Sequence, residues 1–190
     1  MISGLKRHLR RVSRTVRDLP DRLLHARRRA AARSMVGDAR VQRAVFICHG
    51  NINRSAYAAA AFARALPAHV TMHVSSMGFI GPGRPASELA QLVAGRRGIA
   101  LDTHRSRLLD ASELKQTDLI VVMTRRQRDA VQNLLGQARG RIVILGDLDP
   151  ERPATRTIED PYGHPEDVFE RVFDRIDRCT KELVAAIRPS

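Results

Sequence analysis

Two short runs, Asp118–Met123 (DLIVVM) and Arg141–Leu145 (RIVIL), constrain the fold most strongly. Both are brief, β-branched and apolar without alternation, as strands covered on both faces are. Ala44–Ile47 reads as a third strand and Val70–Ser76 as a fourth. Between them lie helical patterns: the Ala-rich Ser55–Leu66, Ala86–Arg97 after a Gly/Pro-rich loop at Gly78–Pro85, and Arg125–Leu135. A closing helix, Pro165–Ile187, places Val168, Phe169, Val172, Phe173, Ile176, Leu183, Val184 and Ile187 mostly at helical spacing. Strands alternating with helices require right-handed crossovers and a parallel sheet. The expected fold is therefore α/β, a three-layer sandwich with a four-stranded parallel sheet and helices on both faces. Such sheets bind ligands beyond the carboxyl ends of their strands.

At that edge the first strand runs into Val45-Phe46-Ile47-Cys48-His49-Gly50-Asn51-Ile52-Asn53-Arg54-Ser55. Cys48 could be a core residue, a metal ligand, half of a disulfide or a nucleophile. The only other cysteine is Cys179, too few for a disulfide framework. Neither cysteine stands in a CxxC or at ligand spacing from a histidine, so no metal site is expected. A loop of successive N–H groups closing on a helix N-terminus makes an anion cradle, and its positive field would favour the thiolate that a nucleophile needs. Arg54 could hold two phosphoryl oxygens at once. Ser55 could donate to the sulfur, and Asn51 could brace the loop through its amide. The rival reading, a buried strand-end cysteine with a solvated Arg54, leaves the strand–loop–helix placement unexplained.

The chain has 190 residues, 43% of them hydrophobic, enough for a sizeable core. No apolar run approaches the roughly 18–20 residues of a membrane span, and the N-terminus lacks the apolar stretch of a secretory signal. A reducing cytoplasm is the expected compartment. The net charge of +13 is uneven: residues 1–43 hold 13 Lys and Arg against 3 Asp and Glu, the remainder 20 against 17. That split proposes a boundary near Arg43, between a basic arm, 1–43, and a body, 44–190. In the arm Ile2, Leu5, Leu9, Val12, Val16, Leu19 and Leu23 form a helical stripe flanked by arginines, with Pro20 dividing it into two short helices. Docking on its own body or a partner, lying on an anionic membrane surface, and acting as a nucleic-acid or organelle-targeting arm are three open readings. The absence of aromatics counts against nucleic acid and weakens interfacial anchoring.

The octapeptide Cys48–Ser55 resembles the phosphate-binding loop of the low-molecular-weight protein tyrosine phosphatases, C-x-G-N-x-C-R-S-P after a V-x-F-V-type strand. Further likenesses follow in order over about residues 44–187. Ser75-Ser76-Met77-Gly78 is similar to the family's S-[AS]-G, and Gly83-Arg84-Pro85-Ala86 to its variable-loop G-x-P-A. Gly98-Ile99 with His104-Arg105-Ser106-Arg107 resembles G-I…H-x-[AS]-R, and Asp160-Pro161-Tyr162-Gly163 the D-P-[FY] loop. The resemblance implies a phosphotyrosine phosphatase without cofactor, with a phosphate-binding loop after the first strand. Cys48 would be the nucleophile, and Arg54 would bind phosphate with His49, Gly50, Asn51, Ile52, Asn53 and Ser55. Asp160 would be the general acid, and Ser76 and His104 would hold Asn51 and Ser55. Phe79 and Tyr162 would clasp the substrate's ring. A phosphotyrosine protein is the implied partner, and bacterial relatives suggest a tyrosine kinase of polysaccharide export.

Two residues depart from the family pattern: Asn53 replaces its second loop cysteine and Ala56 its proline. The local disulfide that the family uses under oxidation is therefore denied to Cys48. Among rivals on the same loop, thioredoxin-linked arsenate reductases need further cysteines about 70–80 residues downstream, which this chain lacks. Phospho-arginine phosphatases of the family tend to carry Thr where Ile52 stands, and an apolar Ile suits an aromatic substrate. A non-catalytic phosphate-binding adaptor is the reading from another class.

Overall fold

A computed structural model describes residues 21–37, 40–136 and 141–187. Four parallel strands, β1 (Arg43–Cys48), β2 (His73–Gly78), β3 (Leu119–Val122) and β4 (Arg141–Ile144), form one sheet in the order β2-β1-β3-β4. Successive side chains of a strand point to opposite faces, and the two sets build two cores. Ala44, Phe46, Leu119, Val121 and Val143 join one; Val45, Ile47, Ile120, Val122, Ile142 and Ile144 join the other. Every β3 residue is buried, which is why this run shows no polar alternation.

Helices cover both faces. On the first lie α2 (Arg54–Ala65), α3 (Glu88–Arg96) and α6 (Glu166–Ala186); on the second lie α4 (Ala111–Lys115) and α5 (Arg125–Leu135). The α2–α6 contact includes Tyr57 stacked on Phe173, ring centroids 3.8 Å apart. The buried phenol donates to Asp177 at 2.8 Å, and burial together with that carboxylate pushes its pKa well up. The three-layer α/β expectation is met.

Element ends differ in places from the sequence reading. Val70–Met72 do not pair, because β1 begins at Arg43 and its register partner is His73. At its other end β2 runs on to Gly78, opposite Cys48. Leu145 leaves the strand for a 3₁₀ turn, Leu145–Leu148. The five-residue α4 was not expected; Asp110 caps it, accepting from Ser112 N at 2.7 Å and Glu113 N at 3.3 Å.

Residues 21–37 form helix α1, directly after Pro20. It buries Ala32 and Val36 in the first core and donates from His25 Nε2 to the Asp149 carbonyl at 3.0 Å. Arg29 and Arg33 both pair with Glu182 of α6 at 2.5 Å. Asp21 accepts from Arg28 and, at 3.3 Å, from Arg156 N. The expected stripe from Ile2 to Leu19 lies outside the described residues.

Candidate active site

β1 lies between β2 and β3, so the chain leaves it toward one neighbour and returns to pair on its other side. That reversal opens a crevice at its carboxyl end, where Cys48 sits. Residues 49–53 join it to α2, whose first turn carries no acidic residue and whose N-terminus has no side-chain cap. Its leading amides are thus available to an anion.

The loop is fixed from behind by Asn51, which adopts φ 51°, a left-handed conformation that Asn tolerates. Its Nδ2 donates to Ser55 Oγ at 2.9 Å and Ser76 Oγ at 2.8 Å, while its Oδ1 accepts from Arg107 N at 2.8 Å. His104 Nε2 donates to the Asn51 carbonyl at 2.6 Å. So braced, Asn51 N points at Cys48 Sγ at 3.3 Å, and Ser55 Oγ donates to the same sulfur at 3.0 Å. Gly78 lets the loop come this close, since a Cβ there would lie 2.8 Å from Asn51 N and 2.9 Å from His49 O. Cys179 differs: buried within α6, its thiol is pushed up by desolvation and, less, by Asp149.

Asn53 is buried, and its Oδ1 accepts from Ser87 Oγ at 2.6 Å. Ser87 also caps α3 by accepting from Ala90 N and donates its own N–H to the Ile52 carbonyl at 3.2 Å. The residue that departs from the family pattern thus ties the loop to α3.

Arg54, 4% exposed, donates from Nη1 to the Ile158 carbonyl at 3.2 Å and ion-pairs through Nη2 with Asp160. Its Nε is buried with no partner among the described residues. A buried donor without an acceptor costs about 1–3 kcal/mol, which a bound oxyanion would recover. Asp160 is brought here because Ile158 N bonds to the Met123 carbonyl just past β3 at 2.9 Å. Arg175 of α6 holds the same segment by the Thr155 and Thr157 carbonyls at 2.7 and 2.8 Å.

These groups enclose a pocket of about 360 Å³, floored by Cys48 and its loop and walled by Ile80, Arg84, Asp160 and Tyr162. A larger cleft, about 590 Å³, opens around Met35 and Arg128 but holds no nucleophile. Phe79 was expected as a wall; it packs partly buried against the second core, and Ile80 lines the pocket instead. The Phe79 and Ile80 N–H groups both bond to the His49 carbonyl, which turns the chain just after β2. Ile80, Arg84 and Ser87 were missed, since nothing in the Gly/Pro-rich stretch marks which residue faces the loop. No group of three or more metal-binding side chains occurs among the described residues.

The family model described as low molecular weight phosphotyrosine protein phosphatase matches residues 43–190. The low molecular weight protein-tyrosine-phosphatase Ptp of Acinetobacter johnsonii is 34% identical over 137 residues, 72% of this chain and 91% of that protein. Wzb of Salmonella typhimurium is 29% identical over 141 residues, covering 74% and 91%. Among solved structures, the Erwinia amylovora tyrosine phosphatase AmsI superposes with a TM-score of 0.72 at 29% identity, covering 80% of this chain and 97% of that one. The chain belongs to the low molecular weight phosphotyrosine protein phosphatase family.

Proposed function

We propose that the protein hydrolyses phosphotyrosine in proteins through a cysteinyl-phosphate, with Cys48 as nucleophile, Arg54 as oxyanion holder and Asp160 as general acid. The carrying observation is the convergence of Asn51 N and Ser55 Oγ on Cys48 Sγ inside a pocket also lined by Arg54 and Asp160. The Cys48 sulfur attacks phosphorus in line, forming S–P as P–O breaks, and Asp160 gives its proton to the departing phenolate. Arg54 and the loop amides hold the equatorial oxygens as their charge redistributes. In the second step water attacks phosphorus, Asp160 takes its proton and the thiolate leaves. Residues supporting a phosphotyrosine ring are Ile52, Ile80 and Tyr162, which give the pocket apolar walls.

Turnover of para-nitrophenyl phosphate, abolished by Cys48→Ser, separates this enzyme from a non-catalytic phosphate binder. Comparing phosphotyrosine with phospho-arginine peptides tests the ring preference; faster phospho-arginine hydrolysis would overturn it. Asp160→Ala as a substrate trap can be challenged first with a tyrosine kinase of polysaccharide export.

The proposal extends to location. Helix α1 turns Arg22, Leu23, Leu24 and Arg27 outward, a mixed basic and aliphatic face suited to an anionic lipid surface. No helix of the described residues is long and apolar enough to cross a membrane. Full-length protein should sediment with anionic vesicles and not with neutral ones; equal binding to both would sink this part.

A further inference from the structure

Arg84 stands on the pocket wall, half-buried, and is held firmly. Its backbone is pinned at both polar atoms by Ser106: Arg84 N donates to Ser106 Oγ at 2.9 Å, and Ser106 N donates to the Arg84 carbonyl at 2.8 Å. Its guanidinium is clamped by carbonyls alone. Nε donates to Gly81 O at 3.0 Å, and Nη2 donates to Gly50 O at 3.0 Å and Ile80 O at 3.2 Å. Two glycines leave it room, since a Cβ on Gly81 would fall 2.4–2.5 Å from the guanidinium and one on Gly50 would fall 3.0 Å from Nη2.

The clamp has an electrostatic consequence. Carbonyl dipoles orient the guanidinium without neutralising it, and among the described residues Arg84 has no carboxylate partner. Arg54, the other cation of this pocket, is already paired with Asp160. Bonds to Gly50 and Gly81 also keep Arg84 from swinging into the cradle around Cys48. Its Nη1 is neither buried unsatisfied nor bonded to any described residue, so one donor edge is left for a ligand. An oriented, unneutralised guanidinium with a free edge binds a carboxylate well, and its preset geometry lowers the entropic cost.

We infer that Arg84 is a specificity-determining residue that receives the carboxylate of an Asp or Glu flanking the substrate's phosphotyrosine. The inference rests on the phosphatase reading and adds the substrate class: phosphotyrosine in an acidic context. The same arginine braces the loop through Gly50, so its removal slows every substrate somewhat; discrimination between substrates is the informative quantity.

The test uses the full-length protein and two phosphotyrosine peptides that differ only in Glu against Gln at the positions flanking the phosphotyrosine. For the wild type kcat/KM should favour the acidic peptide by about three- to tenfold at low salt, as partly exposed charge pairs give. The preference should shrink in 0.5 M salt, fall to near one in Arg84→Gln, and survive in reduced form in Arg84→Lys. Because each ratio is taken within one protein, a variant that is merely slower or less stable still reports. Equal kcat/KM for both peptides in the wild type, or an undiminished preference in Arg84→Gln, would overturn the inference while leaving the phosphatase reading intact. Failure of the wild type to hydrolyse either peptide would overturn both.

Discussion

Arg54 and Asp160, 106 residues apart in sequence, meet as an ion pair at the mouth of the pocket. The arginine is buried and the aspartate half open to solvent, so the pair joins the floor of the site to its solvent-facing rim. A phosphoryl group entering the loop competes for the same guanidinium edge. On the proposed mechanism that competition releases Asp160 next to the leaving oxygen, where a general acid has to be.

Asp160→Asn should therefore depend on the leaving group. Proton donation contributes about 10²–10⁴ in rate where the departing oxyanion is basic. With phenyl phosphate or a phosphotyrosine peptide kcat/KM, which reports the first step alone, should fall by about that factor, and with para-nitrophenyl phosphate clearly less. An equal drop in kcat/KM on both substrates would remove Asp160 from the acid role.

Ser55 Oγ lies 3.0 Å from Cys48 Sγ and also receives the Asn51 amide. Hydrogen bonds to a charged partner contribute about 1.5–3 kcal/mol, and here the charge appears as the thiolate leaves phosphorus. Ser55→Ala should slow breakdown of the cysteinyl-phosphate by about 10- to 100-fold, producing a burst of phenol release before slow turnover. Stopped-flow measurement decides it: slower turnover without a burst would place the effect in the first step.

How much of this was legible beforehand follows from where each piece of information resides. β3 and β4 could be read because both faces are covered, which leaves an uninterrupted apolar run. Helix Arg125–Leu135 was bounded correctly, with Thr124 capping one end by accepting from Gln127 N and Gly136 closing the other. The Cys48 loop is contiguous, so its octapeptide carries the cradle entire. Other features depend on distant partners. Whether Phe79 or Ile80 faces the pocket depends on the Cys48–Gly78 register and the His49 carbonyl, neither of which periodicity contains. Arg84 acquires its place through a carbonyl 34 residues away, and α4 is too short to show a period at all.

Asn53 should set the response to oxidation. Its amide is committed to Ser87 and offers no thiol, while Cys179 is buried in α6 with its thiol held protonated. Hydrogen peroxide should carry Cys48 past the sulfenic stage to acids that dithiothreitol does not reduce. Activity after graded peroxide should recover only in part, whereas Asn53→Cys should recover far more by trapping a local disulfide. Full recovery of the heavily oxidised wild type would contradict this.

Docking of α1 should be sensitive to acid through Asp21. Partial burial acts to raise this carboxyl, but hydrogen bonds from Arg28 and Arg156 N, with their charges, outweigh it and hold the group below 3.8. A folded-state value below the unfolded one, about 3.9, gives stability that is complete above that pH and disappears as pH falls through the folded value. Asp21→Asn removes the charge and keeps the shape. At pH 7 it should cost about 1 kcal/mol, lowering Tm by about 2–4 °C in a chain of this size. The Tm gap should narrow as pH falls and Asp21 becomes protonated in the wild type as well. All other carboxylates titrate alike in both proteins, so the difference isolates this one. A Tm gap that persists unchanged into acid would show that Asp21 acts through shape and not through charge.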